Sequence, residues 1–191
     1  MSKRLTYVDL FAGCGGLSVG LEQAGFELAL AVEKSPMAAE TFYHNFIERI
    51  TDKVDYDRFA SESTSVKEQA KKRLVVKELA AVLNCQDVLD SLKARDIDLV
   101  AGGPPCQGFS LAGRRNPDDV RNMLPWQFLQ FVEAVGPKAV IIENVSGMSQ
   151  DFRKHGKESP FDQLRIALME TGPGYDVQPV LLNAMHFGAP Q

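Results

Sequence analysis

Leu5-Thr6-Tyr7-Val8-Asp9-Leu10-Phe11-Ala12-Gly13-Cys14-Gly15-Gly16-Leu17 decides the fold class. Leu5 to Phe11 is an apolar, β-leaning run, and Ala12 to Gly16 is a turn. Apolar or small residues then recur at Leu17, Gly20, Leu21 and Ala24, a helical spacing that Gly25 stops. A second strand is predicted over Phe26 to Val32. Ser35-Pro36 carries a cap followed by proline at the first helical position, so a helix should run from there to Phe46.

Outward from this unit the alternation continues. Residues 47–64 are polar and charged and read as a loop or insertion. Ser65-Val66-Lys67-Glu68 has capping-box spacing, and a charged surface helix is expected from there to Leu79. Its Lys71-Lys72-Arg73 run reads as a solvated face, with DNA contact as the alternative. Ala81 to Cys85 reads as a short third strand and Ile97 to Ala101 as a fourth. Residues 120–135 suit a helix with Pro125 near its start. Ala139 to Val145 suits a strand, Pro160 to Thr171 a helix ended by Gly172-Pro173-Gly174, and Tyr175 to Asn183 a last strand. Strands alternating with helices predict an α/β fold: one domain over 1–191, a doubly wound, mostly parallel sheet, with 47–80 as a helical insertion.

Composition narrows the function classes. The chain is 45% hydrophobic and 24% charged, as soluble domains are. Its longest apolar runs fall far below the ~20 residues that cross a bilayer. Met1-Ser2-Lys3-Arg4 does not open a secretory signal, so a cytoplasmic, bacterial-cytosol protein without a membrane partner is expected. Cys14, Cys85 and Cys106 form no CxxC pair, which argues against a zinc site or a disulfide framework. Each is then a buried small hydrophobe or a reactive thiol. The net charge of −4 does not announce a nucleic-acid binder; basic residues must be gathered locally or supplied by another segment.

Two segments carry chemistry. The turn at Gly13–Gly16 brings backbone N–H groups to a helix N-terminus, where a ligand can approach. Ser18 stands where a dinucleotide fingerprint needs its third glycine, so a pyrophosphate is disfavoured against a phosphate-free ligand such as an adenosyl amino acid. Glu33 ends the second strand, where an acid meets ribose hydroxyls, and Asp87 follows the expected third strand, placed to accept from an adenine amino group. A glycine turn with unrelated surface acids is the competing reading. The second segment is Gly103-Pro104-Pro105-Cys106-Gln107-Gly108-Phe109-Ser110, after the fourth strand. Two prolines stiffen this loop, which holds one thiol at little entropic cost; a buried inert cysteine is the alternative. Glu143, beside Ile141, Ile142 and Val145, is expected to have a pKa raised by desolvation, or else to cap a loop.

The octapeptide from Gly103 to Ser110 resembles the nucleophile motif of the cytosine C5-methyltransferase family. Asp9 to Gly16 is similar to that family's cofactor motif. Glu143-Asn144-Val145 resembles its Glu-Asn-Val motif, and Phe187-Gly188-Ala189-Pro190-Gln191 the start of its Gln-x-Arg-x-Arg motif. The matches stand in family order over nearly the whole chain. They imply a Rossmann-like methyltransferase fold and S-adenosylmethionine as methyl donor, leaving S-adenosylhomocysteine, with no metal. Duplex DNA is the implied substrate, with the target cytosine flipped out of the stack. Cys106 would attack C6 so that C5 takes the methyl group, and Glu143 would hydrogen-bond N3 and the exocyclic amine. The implied cofactor site is Phe11, Gly13, Cys14, Gly15, Gly16, Leu17, Glu33, Lys34, Asp87, Val88, Pro104 and Leu124. Gln107, Ser110, Arg114, Arg115 and Arg121 would meet the base and its phosphates.

The sequence also departs from the pattern. It stops at Gln191, before the arginines of the last motif, and nothing matches the target-recognition region or the final segment of the cofactor pocket. A truncated chain, or one half of a split enzyme whose second subunit carries target recognition, is the expectation, with weak or no activity from this piece alone. An enzyme of the same family acting on transfer RNA, an inert S-adenosylmethionine-binding module and a nucleotide-dependent oxidoreductase are the competing functions.

Overall fold

Strand β1, Thr6–Leu10, is buried at every position, as a central strand covered on both faces must be. The structure, a computed structural model, describes residues 4–105, 123–144, 160–172 and 174–189. From β1 the chain passes through the glycine turn into α1 (Gly16–Gln23) and β2 (Glu27–Val32). It continues through α2 (Pro36–Phe42), a π-helical turn (Tyr43–Ile47), α3 (Lys53–Ala60), α4 (Val66–Lys71) and β3 (Leu74–Val75). Next come α5 (Leu79–Leu83), α6 (Gln86–Ala94), β4 (Leu99–Gly102), α7 (Leu124–Val135), β5 (Ala139–Ile142), α8 (Pro160–Glu170) and a 3-10 turn (Ala184–Phe187).

The strands form one sheet in the order β3-β2-β1-β4-β5, and every pairing is parallel. Successive residues of a strand serve opposite cores. Val8, Leu10, Leu30, Val32 and Val100 pack on one face against Leu79, Val82, Leu89, Phe128 and Val132 of α5, α6 and α7. Tyr7, Leu28, Leu74, Leu99 and Ala101 pack on the other against Leu21, Ala39, Phe42, Tyr43 and Tyr56. The sheet is therefore doubly wound, as expected. The chain moves outward from β1 through β2 to β3, then returns to β4 on the opposite side. That reversal opens a crevice at the carboxyl ends of β1 and β4, where open α/β sheets place ligands.

Four expectations are corrected. Residues 53–60 are helical, because Asp52 caps α3 by accepting from Val54 N at 2.8 Å and Tyr56 is buried against Tyr43, ring centroids 5.3 Å apart. The helix expected to reach Leu79 stops at Lys71, and the third strand is Leu74–Val75, not Ala81 to Cys85. Gln69 explains why: fully buried, its amide donates to Phe59 O at 2.9 Å and accepts from Val76 N at 3.0 Å, tying α3, α4 and β3 together. Ala81 lies instead in α5, whose Leu79 and Val82 face the core at helical spacing. Finally, Tyr175 to Asn183 pairs with nothing in the sheet; Val180, Leu181 and Leu182 are 72%, 85% and 68% exposed. The Ser65 capping box and the helix starts at Ser35-Pro36 and Pro125 stand as read.

Candidate cofactor and catalytic site

Three residues with positive φ bend the chain off the tip of β1: Phe11 at 59°, Gly13 at 57° and Gly15 at 95°. Glycine adopts the last two without strain, whereas Phe11 is held there by its surroundings. Ala12 N donates to Val32 O at 3.1 Å and Gly15 N to Ala12 O at 2.9 Å, so the turn is anchored to the tip of β2. The first N–H groups of α1 have no partner within the helix and face the turn. A Cβ on Gly13 or Gly16 would meet nothing within 4 Å. The turn thus has open space at two of its glycines, as a cradle for a ligand needs.

Glu33 sits where the sequence places it and does more than end a strand. Its Oε2 accepts from Gly13 N at 2.8 Å and its Oε1 from Ser35 N at 2.6 Å. The carboxylate clamps the glycine turn to the start of α2, and each oxygen keeps a lone pair for a further donor. Lys34 pairs with Glu78 at 2.6 Å on the exposed surface, bridging the residues beyond the tips of β2 and β3.

Ser18, the departure from the dinucleotide fingerprint, is fully buried, and its Oγ donates to Asp9 Oδ2 at 2.6 Å. A hydroxyl–carboxylate bond thus joins α1 to β1 where a third glycine would permit bare close packing. Burial pushes the Asp9 carboxyl up to about 6, opposed by the Ser18 hydrogen bond and reinforced by the charge of Glu33. The Tyr7 phenol beside this pair is pushed up to about 12, again mainly by burial. Sequence reading passed over Asp9 as a site residue. The signal was there: one acid inside an otherwise apolar strand run.

At the tip of β4, Gly102 lets two backbones meet, since a Cβ there would lie 2.2 Å from Leu10 O. Gly103 leads into Pro104, which is buried, and Pro105. A Cβ on Gly103 would lie 2.8 Å from Glu143 Oε2, so the Glu143 carboxylate rests against the root of the Pro104-Pro105-Cys106 loop. Glu143 N donates to Gly102 O at 2.9 Å, which fixes this juxtaposition in the backbone. The apolar enclosure expected around Glu143 is not found among the described residues: Glu143 is exposed, Ile141 is 43% exposed and Ile142 is half-buried.

Other expected positions fare unevenly. Cys14 is exposed in the turn, while Leu17 is half-buried against the α1–α3 core. Cys85 is partly buried against the opposite core, the inert reading of a cysteine. Asp87 does not follow a strand; it occupies the first turn of α6, with its exposed carboxylate held by Lys67 at 2.6 Å. Val88 is buried in the core. Leu124 starts α7 and is half-buried. Cys106, Gln107, Ser110, Arg114, Arg115 and Arg121 lie outside the described residues. Among the described residues no group of His, Cys, Asp and Glu is placed to hold a metal ion, and no helix is long and apolar enough to cross a membrane.

Comparisons with known proteins converge on one family. Residues 5–191 match the C-5 cytosine-specific DNA methylase family. The chain is 34% identical to the Type II methyltransferase M.DdeI of Desulfomicrobium norvegicum over 98% of its own length and 38% of the relative's. It is 37% identical to M.XorII of Xanthomonas oryzae over 96% of its length and 37% of the relative's. For M.AquIA of Picosynechococcus the identity is 36%, over 100% of this chain and 68% of that protein. A solved structure from E. coli, described as a putative DNA modification methyltransferase encoded within a prophage, superposes with a TM-score of 0.58 at 29% identity, covering 86% of this chain and 37% of the other. The chain therefore spans roughly two fifths of M.DdeI, of M.XorII and of this solved chain. With its parallel sheet, its glycine turn and Gly103 against Glu143, the chain belongs to the C-5 cytosine-specific DNA methylase family.

Proposed function

We propose that the chain carries the cofactor-binding and nucleophile-bearing part of an enzyme that methylates C5 of cytosine in duplex DNA. The observation that carries this reading is the contact of Glu143 with Gly103. It sets a carboxylate against the residue three before Cys106 in the chain, at the same end of the sheet as the Glu33-clamped turn.

The donor set fits S-adenosylmethionine. Glu33 offers one remaining lone pair per oxygen to the two ribose hydroxyls, and the open faces of Gly13 and Gly16 leave room for an adenosyl amino acid. Phe11, Cys14, Gly15, Leu17, Lys34, Pro104 and Leu124 complete the site, and Asp87 and Val88 enter only if α6 presents its first turn to the adenine. When bound, the cofactor supplies an electrophilic methyl group. The Cys106 thiolate forms a covalent bond to C6 of a cytosine taken out of the stack, a reaction a stacked base cannot undergo. Glu143 hydrogen-bonds the pyrimidine edge and stabilises the charge that develops on attack. Gln107, Ser110, Arg114, Arg115 and Arg121 position the base and its phosphates.

Sequence readout is assigned to polypeptide beyond the matched region, on the same chain or a second subunit.

The test is covalent trapping. The complete enzyme, incubated with S-adenosylmethionine and a duplex carrying 5-fluorocytosine, should give a stable protein–DNA adduct that Cys106→Ala abolishes. Adducts persisting in the Ala variant remove Cys106 from the mechanism.

A further inference from the structure

We propose that Phe46 is a positioning residue that holds the Gly15 turn in its ligand-ready conformation. Helix α2 runs directly into the π-helical turn Tyr43–Ile47, closed by Glu48 N donating to Tyr43 O at 3.0 Å. A π-turn takes in one residue more than an α-turn and so rotates the side chains after it; such turns concentrate at functional sites. Phe46 lies four residues after Phe42, on the same face, so the two rings meet with centroids 4.6 Å apart and both lie against the glycine turn. A Cβ on Gly15 would lie 2.2 Å from Phe46 Cε2 and 3.1 Å from Phe42 Cδ2.

The contact is selective. Gly13 and Gly16, on either side in the same turn, have nothing within 4 Å of a Cβ, while Gly15 is closed by an aromatic ring. Gly15 is also the N-cap of α1, at φ 95° and with no side-chain cap bond. A glycine in that region is conformationally loose unless something packs on it. Phe46 fills that role from outside the turn. It limits Gly15 to the conformer whose N–H reaches Ala12 O and whose carbonyl accepts from Val19 N at 2.9 Å. The consequence for ligand is one of population: an affinity falls in proportion to the fraction of protein holding the competent conformation. The ligand part of this proposal rests on the S-adenosylmethionine reading; the effect on the turn does not.

The experiment compares wild-type chain with Phe46→Ala, Phe46→Leu and Phe59→Ala. Phe59 belongs to the same aromatic cluster, 4.9 Å from Tyr43, and serves as the control for lost packing. Amide hydrogen exchange is read at Gly13, Gly15 and Val19, and the affinity for S-adenosylhomocysteine by calorimetry. Phe46→Ala should speed exchange at these amides and weaken binding, each roughly tenfold. Phe46→Leu, which keeps part of the packing, should show the same two changes at a smaller size, each about threefold, and so makes the same comparison with Phe59→Ala if the Ala variant does not fold. Phe59→Ala should lower the unfolding temperature while leaving both readouts at wild-type values. Unchanged exchange in Phe46→Ala, or equal effects from Phe46→Ala and Phe59→Ala, overturns the proposal. If the complete wild-type enzyme binds no S-adenosylhomocysteine, the cofactor reading fails, and exchange alone decides the role of Phe46.

Discussion

Replacing Asp9 by Asn should remove a pH-dependent contribution to the stability of this domain that runs opposite to that of the usual carboxylate. Asp9 is 1% exposed, and burial raises its pKa from 3.8 to about 6. A native pKa above the unfolded one means that ionised Asp9 works against the fold. The cost is absent below the unfolded value, grows as pH rises, and is complete above the native value. A shift of about two units corresponds to roughly 3 kcal/mol at neutral pH, about half of which disappears on going from about pH 7.5 to about pH 5. Asn keeps an oxygen for the Ser18 hydroxyl but never ionises. The difference in unfolding free energy between Asp9→Asn and wild type should therefore shift by roughly 1 kcal/mol over that interval, in favour of wild type as pH falls. Urea unfolding of both proteins at the two pH values measures this, and other carboxylates cancel in the comparison. A difference that stays constant, or moves in favour of the variant on acidification, refutes the assignment of a buried, charge-penalised Asp9.

Gly102→Ala forces a Cβ to within 2.2 Å of Leu10 O, a backbone atom in the centre of the sheet that no rotamer change can move. The expected loss is about 3 kcal/mol or more in urea unfolding, and a loss below about 1 kcal/mol would show that β1 and β4 separate easily. Glu33→Gln exchanges one acceptor oxygen for an NH2 group facing a backbone donor, Gly13 N or Ser35 N. S-adenosylhomocysteine affinity should fall by about 30-fold or more while stability drops by only about 1–2 kcal/mol; unaltered affinity in calorimetry would remove Glu33 from the site. At the far end of the sheet, Asp98 accepts from Thr6 N at 2.8 Å, Thr6 Oγ1 at 3.2 Å and Lys138 Nζ at 2.8 Å, and Lys138 first of all holds its carboxyl below the usual range. Asp98→Ala should cost about 2–3 kcal/mol at neutral pH and progressively less as acid protonates the wild-type carboxylate. A thermal scan showing no loss, or a loss that grows in acid, contradicts this.

The legible parts of the sequence were those where local chemistry and tertiary role agree. Continuous apolar runs in β1, β2 and β4 could only be buried parallel strands, and Ser35-Pro36 and Ser65-Val66-Lys67-Glu68 cap the helices they announce. Glu33 was legible because its distance from Gly13 reflects one strand-helix-strand unit. The third strand was not, because two residues carry no periodicity. It is defined by its neighbours: Arg73 at φ 62° breaking the helix before it, and Gln69 reaching from inside α4 to Val76. Gln69 reads as a surface residue until its partners are known. Asp87 was misplaced for the same reason, since its expected position depended on a strand at Ala81 to Cys85 that is helical. Phe46 was hidden because, four residues after Phe42, it reads as one more core aromatic on a helix face, and nothing local marks the π-turn or the glycine it packs on.

The charges decide where duplex DNA can be held. On the described surface, Lys34, Lys53, Arg58, Lys67, Lys72, Lys77 and Lys138 each face an acidic partner. The Lys71-Lys72-Arg73 run puts Lys72 on Glu48 at 2.6 Å. Cations already neutralised in this way release few counterions from a phosphate backbone, and the chain as a whole carries −4. On the proposed function these seven cations add little to DNA affinity, and Arg114, Arg115 and Arg121, close in sequence to Cys106, are proposed to supply part of it together with polypeptide of the kind that the longer relatives have beyond the matched part. The two sources do different work. Arginines beside the nucleophile can hold the phosphates flanking one extruded base, whereas reading a sequence needs groups in the groove of neighbouring base pairs. On the proposed function the parallel strands carry the cofactor turn and the catalytic edge, and the phosphates are held by groups other than these paired cations.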